Sequence, residues 1–226
     1  MHTNKQSKKQ QVGTDDVNFA DNAEPRCACI ILADVSGSMD GSPIAEVNAG
    51  LQQLKAKLVE DQLACLRVEL ALVTFNENVT VQVDFSSPDN FNPPTLTATG
   101  GTHLGAAILK GLDILNARTA EYRAAGTTQY RPWFLLLTDA KSDDDLSEAA
   151  RLVKEAESQK RLSFFGVGVL GANMDELTGL SLRPPLHLEG LNFTGLFEWL
   201  SVNLSSVAVS RPGDQVPLTA PTWATV

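Results

Sequence analysis

Residues 27–44 read Cys27-Ala-Cys-Ile-Ile-Leu-Ala-Asp34-Val-Ser36-Gly-Ser38-Met39-Asp-Gly-Ser42-Pro43-Ile44, and this stretch decides the fold. Seven apolar residues run without a break into a carboxylate and two alternating hydroxyls. An apolar run of that length, stopped by turn residues, is the pattern of a strand buried on both faces. Ser42 then offers a helix cap and Pro43 stands at the first helical position, where its missing N–H is no loss. Strand, polar loop and capped helix in immediate succession form the first unit of a doubly wound α/β sheet, with helices on both faces.

Working outward, the same alternation continues. Leu66–Phe75, Val79–Phe85, Trp133–Thr138 and Ser163–Leu170 are further apolar blocks rich in Val, Ile, Leu and Phe, and each reads as a strand. Only Asn76, Glu77 and Asn78 separate the second block from the third, too short a link for a crossover helix. That pair is therefore antiparallel within an otherwise parallel, Rossmann-like sheet. Helical periodicity carries Ile44, Val47, Leu51, Leu54 and Leu58 in the first helix and Leu104, Ile108, Leu112 and Leu115 in the second. A third helix is expected from Asp145, with Glu148 completing a capping box and Leu146, Ala149 and Val153 inside. The last carries Phe193, Leu196, Phe197, Leu200 and Leu204 and stops before Arg211 and Pro212. No repeat or composition break interrupts this series, so residues 26–210 form one domain. Residues 1–25 are expected to be a flexible N-terminal tail and 211–226 a Pro/Thr-rich C-terminal tail, in which Trp223 docks on its own domain.

The chain has 226 residues with 27 acidic and 18 basic side chains, a net charge of −9. Lys5, Lys8 and Lys9 lie in the uncompensated segment Met1–Gln11, so the rest carries −9 − 3 = −12. Such a surface repels polyanions, which argues against broad contact with nucleic acid or anionic membranes. No apolar run approaches the roughly 20 residues of a membrane span, and the N-terminus lacks the apolar segment of a secretory signal. Three cysteines, an odd number, do not make a disulfide framework. Cys27, Cys29 and Cys65 read as buried apolar residues at the end opposite the polar loop, and the expected location is cytoplasmic.

Asp34-x-Ser36-x-Ser38 places three oxygen side chains where they can converge. By ordinary residue usage the pattern arises in about a few of every ten thousand windows, so alone it is weak. Its position after a buried strand and before a capped helix strengthens it, because ligands bind at the carboxyl ends of strands in doubly wound sheets. Two more loops fall on the same rim. Thr99-Gly-Gly-Thr102-His103 opens the second helix, and Thr138-Asp139 ends the block Trp133–Leu137. Taken singly, Thr102 is an ordinary helix cap and Asp139 a loop carboxylate. Together the three loops make an oxygen-rich edge.

With these residues in place, the chain resembles a von Willebrand factor type A domain bearing a metal-ion-dependent adhesion site. Asp34, Ser36, Ser38, Thr102 and Asp139 match that motif. Within the superfamily, residues 26–210 are similar to bacterial tellurium-resistance TerY-like proteins, through Asp34–Met39, Pro43-Ile44, Val47-Asn48, Val73–Phe75, Thr102–Ala107 and Leu136–Asp139. The resemblance implies a Mg²⁺ site (or Mn²⁺ or Ca²⁺), with the hydroxyls of Ser36, Ser38 and Thr102 as ligands and the carboxylates of Asp34 and Asp139 acting mainly through bound water. It also implies a protein partner that offers an Asp or Glu to the metal, in a stress-response system with a protein kinase and a PP2C-type phosphatase. Ala140 and Lys141 depart from the family's Gly followed by an acidic residue. The partner-binding rim is expected to include Met39, His103, Lys141, Asp143 and Asp144. The alternative reading is a subunit of a MoxR- or chelatase-type AAA+ ATPase machine.

An enzyme reading is weaker. Asp34 sits where haloacid-dehalogenase phosphotransferases carry their nucleophile, but the acid/base Asp two residues on is replaced by Ser36, which disfavours a metal-dependent phosphatase. No Gly-x-Ser-x-Gly elbow, Walker loop or dinucleotide fingerprint is present. A small-molecule substrate is accordingly not expected, and His103, a lone His, is not expected to be a ligand.

Overall fold

The computed structural model describes residues 22–139, 141–169 and 171–225. Most of the N-terminal tail, Ala140 and Leu170 fall outside that set. The chain order is β1 (Cys27–Asp34), α1 (Ser42–Glu60), α2 (Gln62–Arg67), β2 (Val68–Phe75), β3 (Val79–Ser86), α3 (Leu104–Ala124), β4 (Trp133–Thr138), α4 (Ser147–Ser158), β5 (Ser163–Gly168), α5 (Met174–Leu180), β6 (Leu186–Leu188), α6 (Phe193–Val209) and β7 (Ala224–Thr225). The strands form one sheet in the order β3-β2-β1-β4-β5-β6-β7.

β1 occupies the middle, parallel to β2 on one side and β4 on the other, and all eight of its residues are buried. Because successive side chains leave a strand on opposite faces, β1 feeds two cores. Cys27, Cys29, Ile31 and Ala33 enter the cluster covered by α1 and α6, whereas Ala28, Ile30 and Leu32 enter the one covered by α3 and α4. β2 and β4 split in the same way, through Leu70, Leu72, Leu135 and Leu137 on the first face and Ala71, Val73, Phe134 and Leu136 on the second. Burial on both sides is why these strands are apolar throughout rather than alternating. It also makes Cys27 and Cys29 inert, the Cys27 thiol being pushed up to about 12 by burial and, secondarily, by Glu69.

The hairpin expected at residues 76–78 is present. Asn76 N–H donates to the Asn78 carbonyl at 3.1 Å, Asn78 N–H to Asn76 Oδ1 at 2.8 Å, and β3 runs antiparallel to β2. The strand expected from Leu66 begins instead at Val68. Asp61 Oδ1 accepts from Leu63 and Ala64 N–H at 3.0 and 3.1 Å, nucleating the short helix α2 that takes up Leu66. α4 begins at Ser147 rather than Asp145, since Asp145 turns back to accept from Ser147 N–H.

At the other edge the C-terminal segment adds a second antiparallel strand, β7, beside β6. Residues 211–225, set apart above as a tail, are thereby tied to the domain. Trp223 is 1% exposed and meets Trp199 edge-on at 5.7 Å between centroids. Trp199 Nε1 donates to the Thr219 carbonyl at 2.7 Å, and Asn203 bridges to Thr219 through both its amide nitrogen and oxygen. No helix among the described residues is long and apolar enough to cross a membrane.

Candidate metal centre

The strand order reverses between β1 and β4, which opens a crevice beyond their carboxyl ends. Asp34 closes β1 there, Thr138 closes β4, and Asp139 follows at once. Asp34 is wholly buried and Asp139 is 3% exposed. Asp34 Oδ1 accepts from Ser36 N–H at 2.8 Å and Oδ2 from the Thr138 hydroxyl at 2.6 Å. Ser36 Oγ and Ser38 Oγ lie 3.0 Å apart. A 3-10 turn over Gly37–Met39 curls the loop so that the two hydroxyls share one side.

Backbone hydrogen bonds hold the third loop against the first. Gly37 N–H donates to the Gly100 carbonyl at 2.9 Å and Thr99 N–H to the Val35 carbonyl at 2.8 Å, while His103 N–H reaches the Asn76 carbonyl at 2.8 Å. Thr102 is buried two residues before the start of α3, on the loop held in this way against Gly37 and Val35. The Asp139 carbonyl accepts from Asn173 N–H at 2.9 Å, fixing the β4 loop to the segment after β5.

One atom in this assembly has no protein partner. Asp139 Oδ1 is buried and without a hydrogen bond among the described residues, although buried carboxylate oxygens are otherwise satisfied. Burial raises the Asp34 pKa above its ordinary value. The hydrogen bonds from Ser36 and Thr138 oppose that shift, and the charge of Asp139 adds to it. Two carboxylates with three hydroxyls and no nitrogen or sulfur donor make a set for a hard divalent cation. The orphaned oxygen and the raised pKa are what such a cation would relieve, so the residues fit the group.

The rim differs from expectation. Met39 does not belong to it, since the 3-10 turn drives its side chain into the core with Val35 and Ile44, leaving 1% exposed. Asp143 and Asp144 have an internal role. Asp143 Oδ2 accepts from Thr102 N–H at 2.7 Å while its own N–H donates to the Thr102 carbonyl at 2.8 Å. Asp144 accepts from Gly105 and Ala106 N–H, both at 2.8 Å. Asp144 thus caps α3, not its own helix, and its charge meets the positive end of α3, while Asp143 ties down the residue before the cap position. Glycine is required for the approach, because a Cβ on Gly105 would lie 2.5 Å from the Asp145 carbonyl oxygen. Burial pushes the Asp144 pKa up, but the hydrogen bonds from Ser142 and from the Ala106 and Gly105 amides together outweigh it and hold the group below its ordinary value. His103 stands half-buried at the α3 cap position, and Lys141 is exposed.

Two contributors escaped the sequence reading. Thr138 orients Asp34, and only its place at the end of β4 signals this. Glu77, in the β2–β3 turn, lies against Gly100 and brings another carboxylate to the rim, a proximity that no local pattern encodes.

Fold and site thus define an α/β domain of doubly wound type with an oxygen-lined crevice suited to a metal at its topological switch point. The model of the von Willebrand factor type A domain matches residues 29–195, most of the chain, and the protein belongs to that family. Such domains are generally interaction modules and commonly bind protein partners through a divalent metal. A search of the curated proteins finds no match by sequence. Among solved structures, the chain is similar to a von Willebrand factor type A protein from Catenulispora acidiphila (17% identity, TM-score 0.58, 80% of this chain and 43% of that one). It is also similar to the ArnB paralog VWA2 from Sulfolobus acidocaldarius (15%, 0.55, 78% and 46%) and to a D319A mutant of the PilB minor pilin from Streptococcus sanguinis (14%, 0.57, 84% and 64%). At these identities the likeness is one of fold, and the chain spans 43 to 64% of those proteins' own lengths.

Proposed function

We propose that the protein is a non-catalytic adaptor that binds a divalent cation, Mg²⁺ or Mn²⁺, in the crevice between β1 and β4 and recognises an acidic residue of a partner protein there. The observation that carries this reading is Asp139 Oδ1, a buried carboxylate oxygen without a hydrogen bond among the described residues, whose charge acts on the buried Asp34. Ser36, Ser38 and Thr102 would hold the ion through neutral hydroxyls, with Asp34 and Asp139 orienting its waters and balancing its charge. A bound cation supplies an electron-poor coordination position that a partner's Asp or Glu can fill. The protein's part is geometry. Thr138 and the Ser36 amide fix Asp34, and Asp143 and Asp144 fix the loop that carries Thr102. Lys141 and His103 would meet the partner, whereas Glu77 and Asp143 would repel a carboxylate that arrives without the metal.

The resemblance to TerY-like proteins supports a cytoplasmic place in a bacterial stress-response system, with a protein kinase or PP2C-type phosphatase as partner. Affinity capture from native lysate in Mg²⁺, in EDTA, and with the Ser36→Ala/Ser38→Ala variant tests the reading. The expected result is a partner set present only for the unsubstituted protein in Mg²⁺. A set indifferent to all three conditions refutes it.

A further inference from the structure

The edge of the sheet opposite the crevice, where the parallel strands begin, holds a cleft of about 950 Å³. Arg123, Arg131, Lys160, Arg161 and Arg183 line it, against the acids Asp113 and Asp214, a net +3 in a chain whose total is −9. Other arginines near this edge are matched with carboxylates: Arg26 and Arg118 with Glu69 at 3.3 and 2.7 Å, and Arg67 with Glu24 at 2.6 Å. In the cleft, Arg161 reaches Glu155 at 3.4 Å, while Arg123, Arg131, Lys160 and Arg183 form no ion pair among the described residues.

Helix ends explain part of this arrangement. Arg123 lies in the last turn of α3 and donates to the Thr119 carbonyl at 3.1 Å, and Lys160 and Arg161 follow α4, positions where a cation meets the negative end of the dipole. Arg131 and Arg183 belong to no helix. They stand on the loops entering β4 and β6, with Lys160 and Arg161 on the loop entering β5 between them. Cations therefore sit on the loops that enter three neighbouring parallel strands, β4 and β5 starting level with one another and β6 joining at Val167. The Arg183 guanidinium lies 4.4 Å over the Phe165 ring. Burial, and in the same direction the charge of Arg131, lower its pKa, with Glu157 opposing. Between the charges the walls are apolar, with half-buried Leu109, Leu152, Val216 and Leu218.

We propose that this cleft is a second binding site, independent of the metal, that takes an extended acidic peptide segment of a protein partner. Its carboxylates would pair with Arg131, Lys160, Arg161 and Arg183, and its apolar residues would rest on the leucines. Cations carried on three loops and at the end of α3, with apolar residues from both sheet faces between them, suit alternating acidic and apolar side chains. The walls at Val216 and Leu218 come from the C-terminal segment, so the site exists only with that segment docked.

The test uses the full chain and a short fluorescein-labelled peptide alternating Glu and Leu, read by fluorescence anisotropy in Mg²⁺ and in EDTA. The expected result is equal binding in both media, weakening as salt rises, and a loss of about tenfold or more in the Arg131→Glu/Lys160→Glu variant. Both positions are exposed and have no ion-pair partner among the described residues, and thermal melts establish that the variant folds. Four outcomes overturn the proposal: binding abolished by EDTA, which assigns the peptide to the metal crevice; equal affinity in the variant; no binding to either protein; and tighter binding of a single-stranded oligonucleotide than of the peptide, which makes the cleft a nucleic-acid site.

Discussion

Replacing Asp139 by asparagine should raise the melting temperature of the metal-free protein and abolish the gain that Mg²⁺ confers. Asp139 is 3% exposed, its Oδ1 has no hydrogen-bond partner among the described residues, and its charge disfavours that of the fully buried Asp34. A buried unsatisfied polar atom costs about 1–3 kcal/mol, more when charged. Asparagine keeps the shape and removes the charge but still buries an amide, so only part of this is recovered, about 1 kcal/mol. For a domain of this size 1 kcal/mol moves the melting temperature by about 2–4 °C. In the unsubstituted protein, Mg²⁺ at about 100 times its Kd adds about 2.7 kcal/mol, an upward shift of about 5–10 °C. The variant, lacking one of the two charges that balance the ion, should show the first rise and not the second. Circular dichroism melts of both proteins in EDTA and in Mg²⁺ decide it. A variant that melts below the parent in EDTA, or that retains the Mg²⁺ shift, refutes the reasoning.

Three further outcomes follow from the same contacts. The raised pKa of Asp34 means that the native metal-free protein holds this proton more tightly than the unfolded chain does. That contribution is complete below the ordinary carboxylate value and is lost as pH rises through the folded pKa. Asp144 and Asp61 shift the other way, so the measurement is the difference in stability between the parent and Asp34→Asn across that acidic window. A difference that grows in the opposite sense counts against the assignment. Asp144→Ala removes the acceptor for two backbone amides at the start of α3 and should lower stability by about 1–2 kcal/mol in urea denaturation. An effect no greater than that of Asp145→Ala would show that the α3 cap matters little. Trp223→Ala empties a fully enclosed site against Trp199 and should lower stability by about 3–5 kcal/mol. A near-neutral result would mean that the C-terminal segment is not part of the core.

The elements legible in the sequence are those whose signal is local. β1, β2 and β4 announce themselves because burial on both faces demands an unbroken apolar run, and the β2–β3 turn because three residues leave room for nothing but a hairpin. Asp34, Ser36 and Ser38 are readable for the same reason, being fixed by alternation along one loop. Boundaries were less legible. Leu66 has a strand-like composition yet belongs to α2, because Asp61 caps that turn from five positions upstream. β6 and β7 are too short to carry a pattern, and each exists only through its neighbour. Met39 illustrates the opposite error: its place in the motif points to the rim, and a single 3-10 turn sends it to the core.

The residues of one strand and one loop determine that this chain forms a doubly wound sheet with oxygen donors at a strand's carboxyl end, since hydrophobic periodicity and hydroxyl spacing are properties of consecutive residues. Which carboxylates serve the crevice and which serve the scaffold was decided by the tertiary structure alone. Asp139 and Asp144 are chemically the same side chain five residues apart. One is left with an oxygen unpartnered among the described residues, and the other is consumed by the amides of a helix that begins about forty residues earlier. The physical reason is that hydrogen-bond satisfaction depends on which backbone arrives within 3 Å. The gathering of Arg131, Lys160 and Arg183 at one edge has the same origin, because strand order, and not sequence order, makes them neighbours.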